Sequence, residues 1–205
     1  MSIKAVGFDY GGVIGGVGST GAGFTKQICE ILGVDDATYK KVYFGMNYKI
    51  NTGEIQSWHE FWKLFVDKIG KPEKYDAVVA LNDEAEKHLQ IIDENMLALA
   101  DNLRSRGYRV GLLSNTTVEG GKKMRNLGVD QHFDVFHISA ETKLMKPRPQ
   151  AFQHLADELG VQPNEMIFID DAEKSLSTSN EVGFTPVLFE SYERLTQQLA
   201  GLNML

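Results

Sequence analysis

One cysteine, Cys29, is all this chain carries, so no intrachain disulfide can form. Cys-X-X-Cys spacing is equally absent, and a structural zinc–thiolate site is thereby excluded. Long apolar runs are missing as well. None approaches the roughly 20 residues needed to span a bilayer. The first apolar stretch is broken by Asp9, so no signal peptide is expected. Basic residues are in deficit: 21 Lys and Arg stand against 28 Asp and Glu, for a net charge of −7 and a pI near 5.3. Phosphate backbones require a basic face, which argues against nucleic acid as the main partner while leaving room for a local pocket that takes one small phosphate. These absences describe a soluble, reduced, cytoplasmic protein with no membrane partner. A chain of 205 residues suits one domain with a small inserted lobe.

What is present alternates. Residues 3–8 read as a buried strand, followed by a glycine-rich stretch from Gly11 to Gly23. Phe24, Ile28, Ile31 and Leu32 then share one helical face. Trp58, Phe61, Trp62, Phe65 and Ile69 share another, closed by Gly70-Lys71-Pro72. No convincing strand occurs between 16 and about 90, so residues 16–90 are expected to be an α-helical lobe. Strand and helix alternate afterwards. Helices are expected around Met96–Leu103, up to Gly128, over Ala151–Leu159, from about Ala172 to Gly183, and at Tyr192–Leu199. Strands are expected at 108–113, 133–138, 166–169 and 184–189, with Pro186 placing the last at an edge. Repeated β–α units predict an α/β fold: a Rossmann-like parallel sheet flanked by helices, formed by 1–15 and 91–205, with a small α-helical domain at 16–90.

In such sheets ligands bind beyond the carboxyl ends of the strands. Asp9, Ser114, Asp170 and Asp171 all fall there. Two strands that each end in acid, far apart in sequence, suggest one acidic pocket holding a metal ion. A few carboxylates suit Mg²⁺, which keeps waters and takes phosphate oxygens. Ser114-Asn115-Thr116 supplies hydroxyl and amide donors where a strand meets a helix N-terminus, a place for an anion or simply for capping. Lys146 lies in a loop that Pro147 and Pro149 are expected to hold extended, with Lys143 and Arg148 as neighbouring charges. The glycines of Gly16-Val17-Gly18-Ser19-Thr20-Gly21 match a dinucleotide fingerprint. They are displaced from the first strand, however, and the next acids, Asp35-Asp36, follow a helix, so a hinge or flap is the better reading. Trp58, Trp62 and Phe65 are expected in the core of the lobe, whereas Tyr43, Phe44, Tyr48 and His59 could face a substrate.

Taken in order, Phe8-Asp9-Tyr10-Gly11-Gly12-Val13-Ile14, Leu113-Ser114-Asn115-Thr116, Lys146-Pro147 and Phe168-Ile169-Asp170-Asp171 resemble the four motifs of the haloacid dehalogenase-like (HAD) superfamily of hydrolases. The lobe resembles the cap that many members insert after the first motif. The resemblance implies a Mg²⁺-dependent phosphatase of a small phosphorylated metabolite. Asp9 would be the nucleophile and form an aspartyl-phosphate. Asp9, the backbone carbonyl of Gly11, Asp170 and Asp171 would hold the metal. Ser114, Asn115 and Lys146 would bind the phosphoryl group, with Lys146 also catalytic.

Two positions depart from the pattern. Ser175 stands where an Asn is often found. More important, phosphatases of this kind usually carry a second Asp two residues after the nucleophile, as general acid and base. Here that residue is Gly11. Positioned acid–base groups contribute about 10²–10⁴ in rate. Gly11 therefore leaves two alternatives open: hydrolysis of a non-phosphate substrate such as a 2-haloacid, or a phosphate-binding regulatory module with little turnover. The dehalogenases of the superfamily use an arginine from the cap region, and this chain has none before Arg104, which counts against that activity. An aromatic lobe could also support a homodimer.

Overall fold

The computed structural model describes residues 2–16 and 21–205. Residues 17–20, the heart of the expected hinge or flap, lie outside the described residues. The chain begins with β1 (Ala5–Phe8) and continues through α1 (Gly21–Leu32), α2 (Asp36–Asn51), α3 (Trp58–Ile69), α4 (Tyr75–Leu89) and α5 (Glu94–Ser105). It then alternates: β2 (Arg109–Ser114), α6 (Val118–Asn126), β3 (Val135–Ile138), α7 (Ser139–Thr142), α8 (Pro149–Leu159), β4 (Met166–Asp170), α9 (Ser179–Val182), β5 (Thr185–Leu188) and α10 (Tyr192–Gly201). Among the described residues no helix is long and apolar enough to cross a membrane.

The strands form a parallel five-stranded sheet in the order β3-β2-β1-β4-β5. β1 is central and every residue in it is buried. Pro186 lies in the edge strand β5, as its missing N–H requires. Side chains alternate between the faces. Val6 and Phe8 join Leu103 of α5 and Leu199 of α10 on one side, and Ala5 joins Phe152 and Leu155 of α8 on the other.

On the α8 face two glycines, Gly7 and Gly111, lie side by side in register. A Cβ on Gly111 would stand 2.8 Å from Leu155 Cδ1, and one on Gly7 would stand 2.5 Å from Phe168 Cδ2. Their bare backbones let α8 settle against the sheet. The helix that carries Leu155 thereby fixes the depth of the loop that precedes it.

Helices α1 to α4 enclose a separate apolar cluster, with Phe61, Trp62 and Phe65 fully buried at its centre. Trp62 Nε1 donates to Asn82 Oδ1 at 2.8 Å inside it. Trp62 and Phe65 are thus core residues, while Trp58 is partly buried. Periodicity alone shows α1 and α3. It misses α2 and α4, whose buried faces mix Tyr39, Met46 and Asn82 with polar neighbours. Asp35, one of the two acids after α1, is the N-cap of α2 and accepts from Thr38 N–H at 2.6 Å.

The chain leaves and re-enters the sheet-bearing part through one seam. Gly16 N–H donates to the Ile91 carbonyl at 3.0 Å, and Asp93 N–H donates to the Ile14 carbonyl at 2.8 Å.

Two local expectations are corrected. Pro149 does not extend the loop after Lys146; it sits in the first turn of α8, where a missing N–H costs nothing. The helix expected directly after Asp171 is replaced by turns, and only Ser179–Val182 is helical. Hydroxyls compete with the helix there. Ser177 Oγ donates to the Lys174 carbonyl and Thr178 Oγ1 donates to the Pro147 carbonyl, both at 2.8 Å.

Leu155→Ala should destabilise the protein by about 2–5 kcal/mol, and Gly111→Ala by about 1–3 kcal/mol through overpacking. Because the two side chains would compete for one space, urea denaturation should give the double variant a smaller loss than the sum. Strict additivity would show that α8 is not seated on these glycines.

Candidate active site

The site follows from strand register. Phe8 pairs with Ile169 in β4, so Asp9 and Asp170 emerge side by side, and Asp9 N–H donates to the Ile169 carbonyl at 2.8 Å. On the other side Phe8 pairs with Leu112, which carries Ser114 to the same edge of the sheet. Carboxylate oxygens of Asp9, Asp170 and Asp171 can all lie within 4.8 Å of one another.

Lys146 is the cation of this cluster. Its Nζ lies 2.8 Å from Asp9 Oδ1 and also contacts Asp170 Oδ2. Both Lys146 and Asp170 are buried. The second oxygen of Asp170 accepts from Ala172 N–H at 2.9 Å. Asp170 thus holds Lys146 with one oxygen and the following turn with the other. Asp171 is exposed and closes against Gly12, whose φ is +75° and where a Cβ would fall 2.1 Å from Asp171 Oδ2. Only glycine fits that turn.

Burial pushes the Asp9 carboxyl up to about 7; the adjacent Lys146 ammonium opposes the rise, and the Asp170 carboxylate adds to it. The Asp171 carboxyl, exposed as a residue but partly desolvated where it packs against the cluster, is also raised, by that desolvation first and by the Asp170 carboxylate next. Three carboxyls and one ammonium make an oxygen-rich cluster in excess of negative charge. Such a donor set fits a hard divalent cation.

Asn115 exchanges two hydrogen bonds with the backbone of Lys146: Nδ2 donates to its carbonyl at 2.8 Å, and Oδ1 accepts its N–H at 2.9 Å. The amide is occupied in fixing the loop. Ser114 is buried at the end of β2 and faces the cavity. The helix cap after it is Thr117, which accepts from Gly120 N–H at 2.9 Å.

A cavity of about 170 Å³ opens over the cluster. Asp9, Gly11, Ser114 and Lys146 line it on one side. Its other walls come from Glu86 of α4 and Gln90 at its C-cap, and from Lys123 and Met124 of α6 and Leu127 at its C-cap. Lys123 Nζ bonds Glu86 Oε2 at 2.6 Å, joining the two helices. Sequence reading does not single these residues out, although Gly120, Lys123, Met124 and Leu127 have the spacing of one helix face. Of the aromatic residues that could face a substrate, Tyr43 stacks on Tyr39 within the helical cluster and meets Phe61 edge to face. His59 pairs with Asp83 at the surface. Phe44 and Tyr48 instead meet cations from the sheet-bearing part: Lys174 lies 4.4 Å from the Phe44 ring centre and Arg148 lies 4.3 Å from that of Tyr48.

The chain is 28% identical over 113 residues to mouse bifunctional epoxide hydrolase 2, covering 53% of this chain and 20% of that one. It is 31% identical over 113 residues to the glyceraldehyde 3-phosphate phosphatase of Methanopyrus kandleri, covering 54% and 48%. The aligned part is therefore less than half the length of either relative. A HAD family enzyme of Bacteroides thetaiotaomicron, solved as the wild-type protein with magnesium and inorganic phosphate, superposes with a TM-score of 0.66 at 25% identity, over 95% of this chain and 99% of that one. A family model of haloacid dehalogenase-like hydrolases matches residues 3–183. With that match spanning strands β1 to β4, the acidic cluster and helices α1 to α4, the chain belongs to the haloacid dehalogenase-like hydrolases.

Proposed function

We infer that this hydrolase is a cytoplasmic, Mg²⁺-dependent phosphatase of a small phosphorylated metabolite. The observation that carries the reading is the meeting of Asp9, Asp170 and Asp171, with Lys146 bridging the first two, where Asp9, Lys146 and Ser114 line one small cavity. The Bacteroides neighbour with magnesium and phosphate and the archaeal phosphatase support it.

Asp9, the Gly11 carbonyl and Asp171 would hold the ion, with Asp170 joining directly or through water. Bound there, Mg²⁺ would offset the carboxylate charge that otherwise repels a phosphoryl group. Asp9 attacks phosphorus, the leaving-group oxygen departs with its electron pair, and water later cleaves the aspartyl-phosphate. Lys146 and the Ser114 hydroxyl hold phosphoryl oxygens as charge builds on them. Asp170 and Asn115 keep the lysine and its loop in place, one through the ammonium and the other through the backbone. Residues 16–90 act as a cap domain over the core of 1–15 and 91–205. Glu86 and Gln90 would then meet the part of the substrate beyond the phosphate.

Release of inorganic phosphate from a panel of phosphate esters and acyl phosphates should require Mg²⁺ and stop on chelation. Asp9→Asn should lower it by about 10³-fold or more. No turnover of any member with Mg²⁺ present would defeat the assignment.

Gly11 supplies no acid–base side chain, so good leaving groups such as aryl and acyl phosphates should be favoured over alkyl esters. A Cβ at Gly11 would meet nothing within 4 Å, so a side chain fits. Gly11→Asp should raise kcat on alkyl phosphates by up to about 10²-fold while changing aryl phosphates little. Should wild type release no phosphate at all while Gly11→Asp does, the natural chain is a binding module.

No arginine lines the cavity among the described residues, which disfavours the 2-haloacid reading. Incubation with several 2-haloacids should accordingly release no halide; halide release without added metal would reverse that choice.

A further inference from the structure

One buried ring is explained neither by core packing nor by the cavity. His137 is in β3, an edge strand, and its side chain is 0% exposed. Its Nε2 lies 2.5 Å from Thr142 Oγ1. That oxygen also accepts from Leu144 N–H and lies within reach of the Ile138 carbonyl, both at 3.3 Å. If the threonine hydroxyl donates to the carbonyl, its oxygen is left to receive a proton from Nε2. The imidazole then keeps its lone pair on Nδ1. Nδ1 is buried and has no hydrogen-bonding partner. A ring nitrogen desolvated without a partner calls for an explanation.

The explanation lies on α8. His154 and Glu158 are one turn apart on the face turned to β3. Glu158 Oε2 is 3.9 Å from His137 Nδ1 and 3.4 Å from His154 Nε2. The three ligand atoms all lie within 4.8 Å of one another. We propose that His137, His154 and Glu158 form a second metal site, for a borderline transition ion such as Zn²⁺, with water as the fourth ligand.

Two imidazoles and one carboxylate suit Zn²⁺, Ni²⁺ or Cu²⁺ and not Mg²⁺. Metal bonds of roughly 2.0–2.2 Å in a tetrahedral site put ligand atoms about 3.3–3.6 Å apart. Small rotations of the half-exposed His154 and Glu158 close the remaining distance. The Thr142 hydroxyl plays the part expected of an outer partner, fixing the ring and its tautomer. The ion would join β3 to α8, the helix that directly follows the Lys146 loop.

The test is titration of the full-length protein with Zn²⁺ under saturating Mg²⁺, read by calorimetry, by thermal melting and by histidine ring ¹⁵N spectra. Wild type should bind one equivalent, gain thermal stability, and shift Nδ1 of His137 and Nε2 of His154. His154→Ala and Glu158→Gln, both at partly exposed positions, should retain the wild-type circular dichroism, bind Zn²⁺ at least about tenfold more weakly and lose the thermal gain. Asp171→Asn should bind Zn²⁺ as wild type does. Equal binding by wild type and the His154→Ala/Glu158→Gln double variant would overturn the proposal, as would loss of binding in Asp171→Asn alone.

Discussion

Lys146 lies between Asp9 and Asp170 in a nearly solvent-free place, and the architecture around the candidate site is organised about that contact. A buried carboxylate pair needs a compensating cation or a shared proton. The ammonium comes from a loop 31 residues beyond Asn115, whose side-chain amide clasps the loop backbone. Thr178 grips the same loop from the other side through the Pro147 carbonyl. Below it, α8 is seated on the bare backbones of Gly7 and Gly111. Depth of helix packing, position of the loop and position of the charge are therefore one quantity.

The cluster is still short of positive charge. Burial and Asp170 together hold the Asp9 carboxyl far above the ordinary carboxylate range even with Lys146 beside it. An additional cation is the natural complement of such a place, which is why the proposed Mg²⁺ and a phosphoryl group fit together better than either alone. The absence of a side chain at Gly11 then shifts the burden of catalysis. In the proposed reaction, charge stabilisation by Lys146 and Ser114 would have to do more, and proton donation to the leaving group less.

Helices α1 to α4 meet the sheet-bearing part through directed contacts. Glu86 pairs with Lys123, and the Phe44 and Tyr48 rings receive Lys174 and Arg148. Their chain enters and leaves through the paired segments at Gly16 and Ile91. A segment with its own apolar core can differ in the residues it presents to the cavity without disturbing the sheet.

The alternation of strands and helices after residue 91, the absence of strands between β1 and β2 among the described residues, and the edge position of the strand containing Pro186 were legible in the sequence, because period-2 and period-3.6 patterns and proline's missing N–H are local properties. So was the location of Asp9, Ser114, Asp170 and Asp171 at strand ends, since a polar residue after an apolar run marks where a strand stops. Local pattern did not reveal α2 and α4, whose buried faces are partly polar, nor the turns after Asp171, where serine and threonine hydroxyls outcompete the helix. Only the tertiary structure decided that Asn115 spends its amide on the Lys146 backbone, that Glu86 and Lys123 wall the cavity, and that His137 points an unpaired nitrogen at α8. Those are matters of strand register and helix depth, through which residues distant along the chain become neighbours, and no local pattern encodes the direction in which a side chain then points.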